Sequence, residues 1–148
     1  MKLDILQHPD PRLAQVCTPA KTIDNRFIED MFETMYSATG RGLAAPQVGV
    51  MQRVFVMDAT WKEGNMTPIA FINPTITGQG GSQVNDEACL SIADVSRNVA
   101  RPEWVDVEWT DLDGSAKTVR FDGFAAACIC HEMDHLDGRL ILDHEIAV

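Results

Sequence analysis

Apolar residues Phe27, Ile28, Met31, Phe32, Met35 and Tyr36 recur at spacings of three and four from Asp24 onward. That period predicts a helix with one buried face, and Gly40 suits its termination. Two short β-prone runs follow, Arg53 to Met57 and Ile69 to Ile72, the second ending before Asn73-Pro74. Val105 to Trp109 alternates apolar and polar, the turn residues Asp111 to Gly114 follow, and Lys117 to Phe121 completes a hairpin. The last element is a helix: Asp122 suits the N-cap, Phe124 to Leu136 is mostly apolar, and Gly138 suits the C′ position. The first twenty residues, with Pro9, Pro11 and Pro19, read as an irregular lead-in. A helix apolar on nearly all sides belongs in a core. The pattern therefore predicts an α+β fold, with antiparallel or mixed β-sheets packed around a central C-terminal helix.

Composition narrows this picture. A chain of 148 residues with 45% hydrophobic and 23% charged residues fits one globular domain spanning 1–148 and excludes a disordered chain. No apolar run is long enough to cross a membrane, and the opening MKLDILQHPD has no signal-peptide core. Twelve basic against twenty-two acidic residues give a net charge of −10, which repels phosphate backbones and argues against direct nucleic-acid binding. Cys17, Cys89, Cys128 and Cys130 read as free thiols or metal ligands rather than disulfides, because nothing marks the chain as secreted. A cytoplasmic monomer is expected.

The apolar last helix carries His131-Glu132-Met133-Asp134-His135, an HExxH sequence. Residues four apart on a helix differ by about 40° and roughly 6 Å of rise. Both imidazoles then reach one ion, with Glu132 beside it. Burying two histidines and two carboxylates there is costly unless they are paired or metal-bound. A catalytic site of this kind needs a third protein ligand and an open position. Cys128 shares the face of His131 but lies about 10 Å along the axis from His135, and Cys130 points about 100° away from His131. Those two read as core thiols. Cys17, Cys89, Glu87 and His144 remain as candidates, and spacing does not choose among them, although His8 and His144 as lone histidines read first as surface residues. Two further clusters stand out: Asp86-Glu87-Ala88-Cys89-Leu90-Ser91, and the small-residue run Gly40 to Gly49 (GRGLAAPQVG), where Gln47 offers an amide donor.

GRGLAAPQVG, EACLS and HEMDHLDG, in this order, resemble the three signature motifs of peptide deformylases, GxGLAAxQ, EGCLS and QHExDHxxG. The resemblance extends from PDPRL at Pro9 to Leu13, through DMFETMYSATG at Asp30 to Gly40, to RLILD after Gly138. It implies a metal-dependent hydrolase that removes the N-formyl group from the formylmethionine of nascent peptides and releases formate. Cys89, His131 and His135 would hold one divalent ion. Iron(II) is favoured in the cell, and zinc, nickel or cobalt suit the same donors. Glu132 would be general base and acid, with Gln47 and the Leu90 N–H stabilising the oxyanion. Gly42 and Ala88 would lie along the substrate backbone. Leu43, Glu87, Ala127 and Cys128 fall where the family lines the first side-chain pocket or supports the metal, and Arg97 is expected to hold Glu87 or the substrate.

Four departures from the family pattern carry expectations of their own. Ala88 replaces a glycine, which costs nothing if its backbone is extended. Cys130 replaces a glutamine before His131, removing an amide from the metal's surroundings. Arg41 stands where relatives are aliphatic and is expected to meet solvent or substrate, biasing preference towards acidic nascent chains. The chain ends ten residues after Gly138, as phage-encoded members do, and with its acidic charge this leads us to expect at most weak ribosome association. Two other functions compete with this reading: a generic HExxH metallopeptidase, and a deformylase-like metal-binding or interaction protein with little or no catalysis.

Overall fold

The computed structural model describes residues 1–148. Two α-helices, α1 (Asn25–Ser37) and α2 (Gly123–Leu136), are combined with seven strands: β1 (Gly42–Ala44), β2 (Val54–Met57), β3 (Ile69–Gly80), β4 (Gln83–Cys89), β5 (Ile92–Arg101), β6 (Trp104–Thr110) and β7 (Ala116–Asp122). Five strands form one antiparallel sheet in the order β1-β2-β3-β6-β7, and β4 and β5 form a separate hairpin. This is the expected α+β class. No helix is long and apolar enough to cross a membrane.

Strand alternation sorts the core into two layers. In β2, Val54 and Val56 face α1 with Ile28, Met31 and Met35, while Phe55 and Met57 face the opposite layer with Phe71, Ala126, Ile129 and Leu136. Each large side chain buried this way contributes ~1.5–3 kcal/mol. A third cluster (Leu13, Cys89, Ile92, Val99, Leu140, Ile141) closes the β4–β5 side. Between these layers α2 is covered by the large sheet and touches β4 and β5 as well, which accounts for its apolar sequence.

Both helices begin where expected and stop by the same device. The Asp24 carboxylate accepts from Arg26 N–H at 2.9 Å, whereas Asp122 occupies the N-cap of α2 without a side-chain hydrogen bond. After α1 it is Thr39, not Gly40, that takes the left-handed conformation (φ 59°). Gly40 N–H then closes on Met35 O at 2.9 Å, the six-to-one bond of a Schellman ending. After α2, Gly138 (φ 72°) plays the part of Thr39, and Arg139 N–H reaches Asp134 O at 2.8 Å.

Two expectations require correction. The run at Ile69 does not end before Asn73-Pro74; β3 continues to Gly80. The proline is absorbed by a bulge between Ile72 and Thr75, where an extra residue leaves the ladder. Asn73 (φ 50°) replaces the lost pairing by bonding Ala20 N–H and C=O through its side chain at 2.8 and 2.9 Å. The β4–β5 hairpin, where Cys89 sits, was not foreseen as a pair of strands.

Candidate active site

α2 presents His131 and His135 one turn apart, their ring centroids separated by 5.2 Å. Cys89 ends β4 at a register break and brings its sulfur 3.4 Å from His135 Nε2. One donor atom from each of Cys89, His131 and His135 lies within 4.8 Å of the others, and no other group of His, Cys, Asp and Glu converges in this way. Bonds of ~2.3 Å to sulfur and ~2.0 Å to nitrogen at a tetrahedral centre set those donors ~3.5 Å apart. The observed separation fits a shared ion, and one thiolate with two imidazoles suits iron, zinc, nickel or cobalt.

The two histidines differ in their surroundings. Burial drives the His135 pKa down to about 3, so its imidazole is neutral with a lone pair to give. Burial lowers that of His131 too, but hydrogen bonds to Cys89 and Glu87 outweigh it and raise the value to about 10. Without an ion, the thiol and Glu87 thus favour a proton on this imidazole, which ligation would have to displace. Glu87 Oε1 lies 2.9 Å from His131 Nδ1; a carboxylate partner of this kind fixes ring orientation in metal sites.

Glu132 is 4% exposed, and its Oε1 is buried without a hydrogen-bond partner. Burial, the leading cause, raises its pKa to about 7, which matches a base working near neutral pH. Gly42 makes room for it. A Cβ at position 42 would stand 2.4 Å from Glu132 Oε2, so the Glu132 carboxyl keeps this place only with glycine there.

Gln47, 1% exposed in a 3-10 turn over Ala45–Val48, is held at both ends. Its Oε1 accepts from Ala44 N–H at 3.0 Å, and its Nε2 faces Ser91 Oγ at 3.0 Å and Cys89 Sγ at 3.7 Å. The Leu90 carbonyl accepts from Gln7 Nε2 at 2.9 Å. Together with Gly42, Glu87, Ala88, Ala127, Cys128, His131 and Glu132, these two residues line a cleft of about 380 Å³.

Other expected residues are placed differently. Leu43 is fully buried between the sheet and α1 and does not line the cleft. Arg97 pairs with Glu87 in strand register, yet its guanidinium turns to the carbonyls of Leu142 and His144 at 3.3 and 3.4 Å. Arg101 holds Glu87 instead, in a two-pronged contact of 2.9 and 2.8 Å, and reaches Asp134 at 2.6 Å. Arg101 was missed because its partners come from β4 and α2. Recognising the β4–β5 hairpin would have set it on the face of Glu87. Ala88 is paired in β4 and has no positive φ, so it is unstrained. Arg41 does line the cleft, but Glu63 binds its guanidinium at 2.8 and 2.9 Å and Phe124 lies beneath it. All four cysteines are free; burial raises the Cys128 thiol well above its usual range and Cys130 to about 11, so both remain neutral core thiols.

Residues 2–147 match the family model described as polypeptide deformylase. The chain belongs to that family. It is 44% identical over 150 residues to a peptide deformylase of Zymomonas mobilis, covering 96% of this chain and 85% of the relative. A crystal structure of peptide deformylase from Thermotoga maritima superposes with a TM-score of 0.92 at 38% identity, covering 100% of this chain and 99% of the other. A probable peptide deformylase from synechococcus phage S-SSM7 gives 0.91 at 36%, covering 97% and 100%. Membership replaces the generic metallopeptidase reading. The reaction is the metal-dependent hydrolysis of the N-formyl group from formylmethionine at the start of new polypeptides.

Proposed function

We propose that Cys89, His131 and His135 hold one divalent ion and that Glu132 moves the proton during hydrolysis of the formyl amide. The observation that carries this reading is the convergence of three donor atoms within 4.8 Å beside a buried carboxyl raised to about 7. We read the cellular ion as iron(II), with zinc, nickel or cobalt accepted by the same donors. When bound, such an ion supplies Lewis acidity and lowers the pKa of a neighbouring water.

Glu132 takes a proton from that water near neutral pH and returns it to the departing amine. The amide of Gln47 is preset by Ala44, so its Nε2 donates to charge developing on the formyl oxygen, and the Leu90 N–H is the second donor. Such donors contribute ~2.7–4 kcal/mol each to the transition state. β1 pairs only with β2, and β4 only with β5, which leaves each with an unpaired edge. Gly42 and Ala88 sit on those strands and line the cleft, so an extended formyl-peptide is bound as an added strand. Its first side chain packs on Ala127 and the neutral Cys128 thiol. Glu87 orients His131 rather than touching substrate, and Arg97 takes no part. The charge of −10 supports an enzyme that meets nascent chains in the cytoplasm as a monomer, without tight ribosome or nucleic-acid contact.

Formate release from formyl-Met-Ala-Ser, assayed anaerobically with iron(II), tests the reading. Activity is expected, with a loss of 10²–10⁴-fold in Glu132→Ala and loss of stoichiometric metal in Cys89→Ala. No formate from folded, metal-loaded protein overturns the proton role, and stoichiometric metal in Cys89→Ala overturns the ligand set.

A further inference from the structure

A continuous set of hydrogen bonds leads from the His131 imidazole out of the cleft. Glu87, an acceptor only, takes the hydrogen on His131 Nδ1 at 2.9 Å, so Nε2 is the ring nitrogen left for an ion. The same carboxylate takes two bonds from Arg101, and Arg101 Nη1 reaches Asp134 Oδ2 at 2.6 Å. That oxygen has a second partner, His144 Nε2 at 2.7 Å. Side-chain exposure is 19% at His144, 15% at Asp134, 4% at Arg101 and 10% at Glu87. His144 was expected on the surface as a lone histidine; it is instead the outermost member of this chain of contacts.

We propose that His144 is a positioning residue for the metal centre, acting through Asp134, Arg101 and Glu87 on the His131 imidazole. The proposal rests on the reading of His131 as a ligand. Arg101 is shared between two carboxylates, so its placement depends on how firmly each is held. Asp134 Oδ1 has only Arg139 at 3.8 Å, on a side chain 52% exposed, beyond hydrogen-bond range. The His144 N–H therefore fixes the rotation of the Asp134 carboxylate on the side facing Arg101. Without it Asp134 turns, the guanidinium shifts, and Glu87 no longer holds His131 at the angle that aims Nε2 at Cys89.

The backbone is built to deliver His144 to this place. Leu140 and Ile141 are buried against Val99. Arg97 binds the carbonyls of Leu142 and His144, and Ala147 N–H donates to Asn98 O at 2.9 Å. The role of Arg97 is thus to fasten this segment to β5.

His144→Leu removes the donor at similar volume, whereas His144→Gln returns an N–H near the place of Nε2. Zinc affinity by chelator competition and the absorption spectrum of the cobalt-substituted protein are the readouts. The expected result for His144→Leu is about tenfold weaker zinc binding and shifted cobalt d–d bands, with His144→Gln within twofold of wild type in both. His144→Asn, whose amide falls short of Asp134, behaves like His144→Leu and replaces it if that variant does not fold. Unchanged affinity and spectrum in whichever of these folds overturns the proposal, and so does an equal loss in His144→Gln. Failure of the wild-type protein to bind cobalt with a thiolate charge-transfer band overturns the underlying ligand assignment instead.

Discussion

Gly42→Ala separates the chemistry of Glu132 from the stability of the fold. The added Cβ would lie 2.4 Å from Glu132 Oε2, 2.9 Å from Cδ and 3.0 Å from Cγ. Ordinary contact begins near 3.4 Å, so the carboxyl must retreat by about 1 Å. Glu132 Oε1 has no partner and nothing beyond burial anchors the group, so the side chain yields before the backbone of β1 does. A 1 Å misplacement of a catalytic group costs on the order of 10²-fold in rate, or about 2.7 kcal/mol of barrier. The fold should hardly notice, because alanine in a strand gains ~0.5–1 kcal/mol over glycine, offsetting the local crowding. Steady-state formate release on metal-loaded protein, beside urea unfolding and metal analysis, makes the comparison. The expected outcome is a loss of kcat near 100-fold with unchanged metal content and stability within about 1 kcal/mol. A kcat within twofold of wild type refutes the reasoning. A loss confined to KM also refutes it, since the methyl would then obstruct substrate rather than displace the base.

Burial raises the Glu87 carboxyl, but bonds from Arg101 and His131 outweigh it and hold the value at about 2 against the usual 4.5. A folded value below the unfolded one contributes stability above pH 4.5 that is lost as pH falls through 2. Metal-free Glu87→Gln is therefore expected to be roughly 3 kcal/mol less stable at pH 7, with the gap closing on acidification; a gap independent of pH in urea melts contradicts this. Phe71 is fully buried and lies 4.5 and 4.6 Å, ring to ring, from Phe55 and Trp109. Phe71→Ala should cost ~3–5 kcal/mol, read from the urea midpoint. Gly138 has φ 72° and a Cβ there would stand 2.6 Å from Ala14 O, so Gly138→Ala should lower stability by about 2 kcal/mol with kcat little changed.

How much was legible in the sequence depended on what each inner face had to do. α1, α2 and the β6–β7 hairpin bury apolar faces, and their periods announce them. β4 and β5 blur the pattern: Gln83, Asn85, Glu87, Arg97 and Arg101 share the inner side with the buried Val99, while Val84 and Val95 face water. Their inner face serves the site as well as the core, so hydrophobic alternation fails there. The histidines and Glu132 were legible because one helical turn brings them together. Cys89 needed the family resemblance, because only tertiary structure carries β4 to α2. Arg101 had no local signal, and Asp134 and His144, although singled out, gave no sign of their roles, since each is defined by partners from other elements.

The donors of the cluster lie far apart along the chain, with Cys89 and His135 separated by 46 residues. During synthesis the thiol emerges first and waits for both imidazoles, since β4 and β5 alone offer only one donor. The cluster is therefore complete only once α2 has been made and packed against β4, and until then Cys89 is a thiol without its partner imidazoles, the form open to oxidation. The growing chain is consequently exposed at a sulfur whose partners have yet to be made.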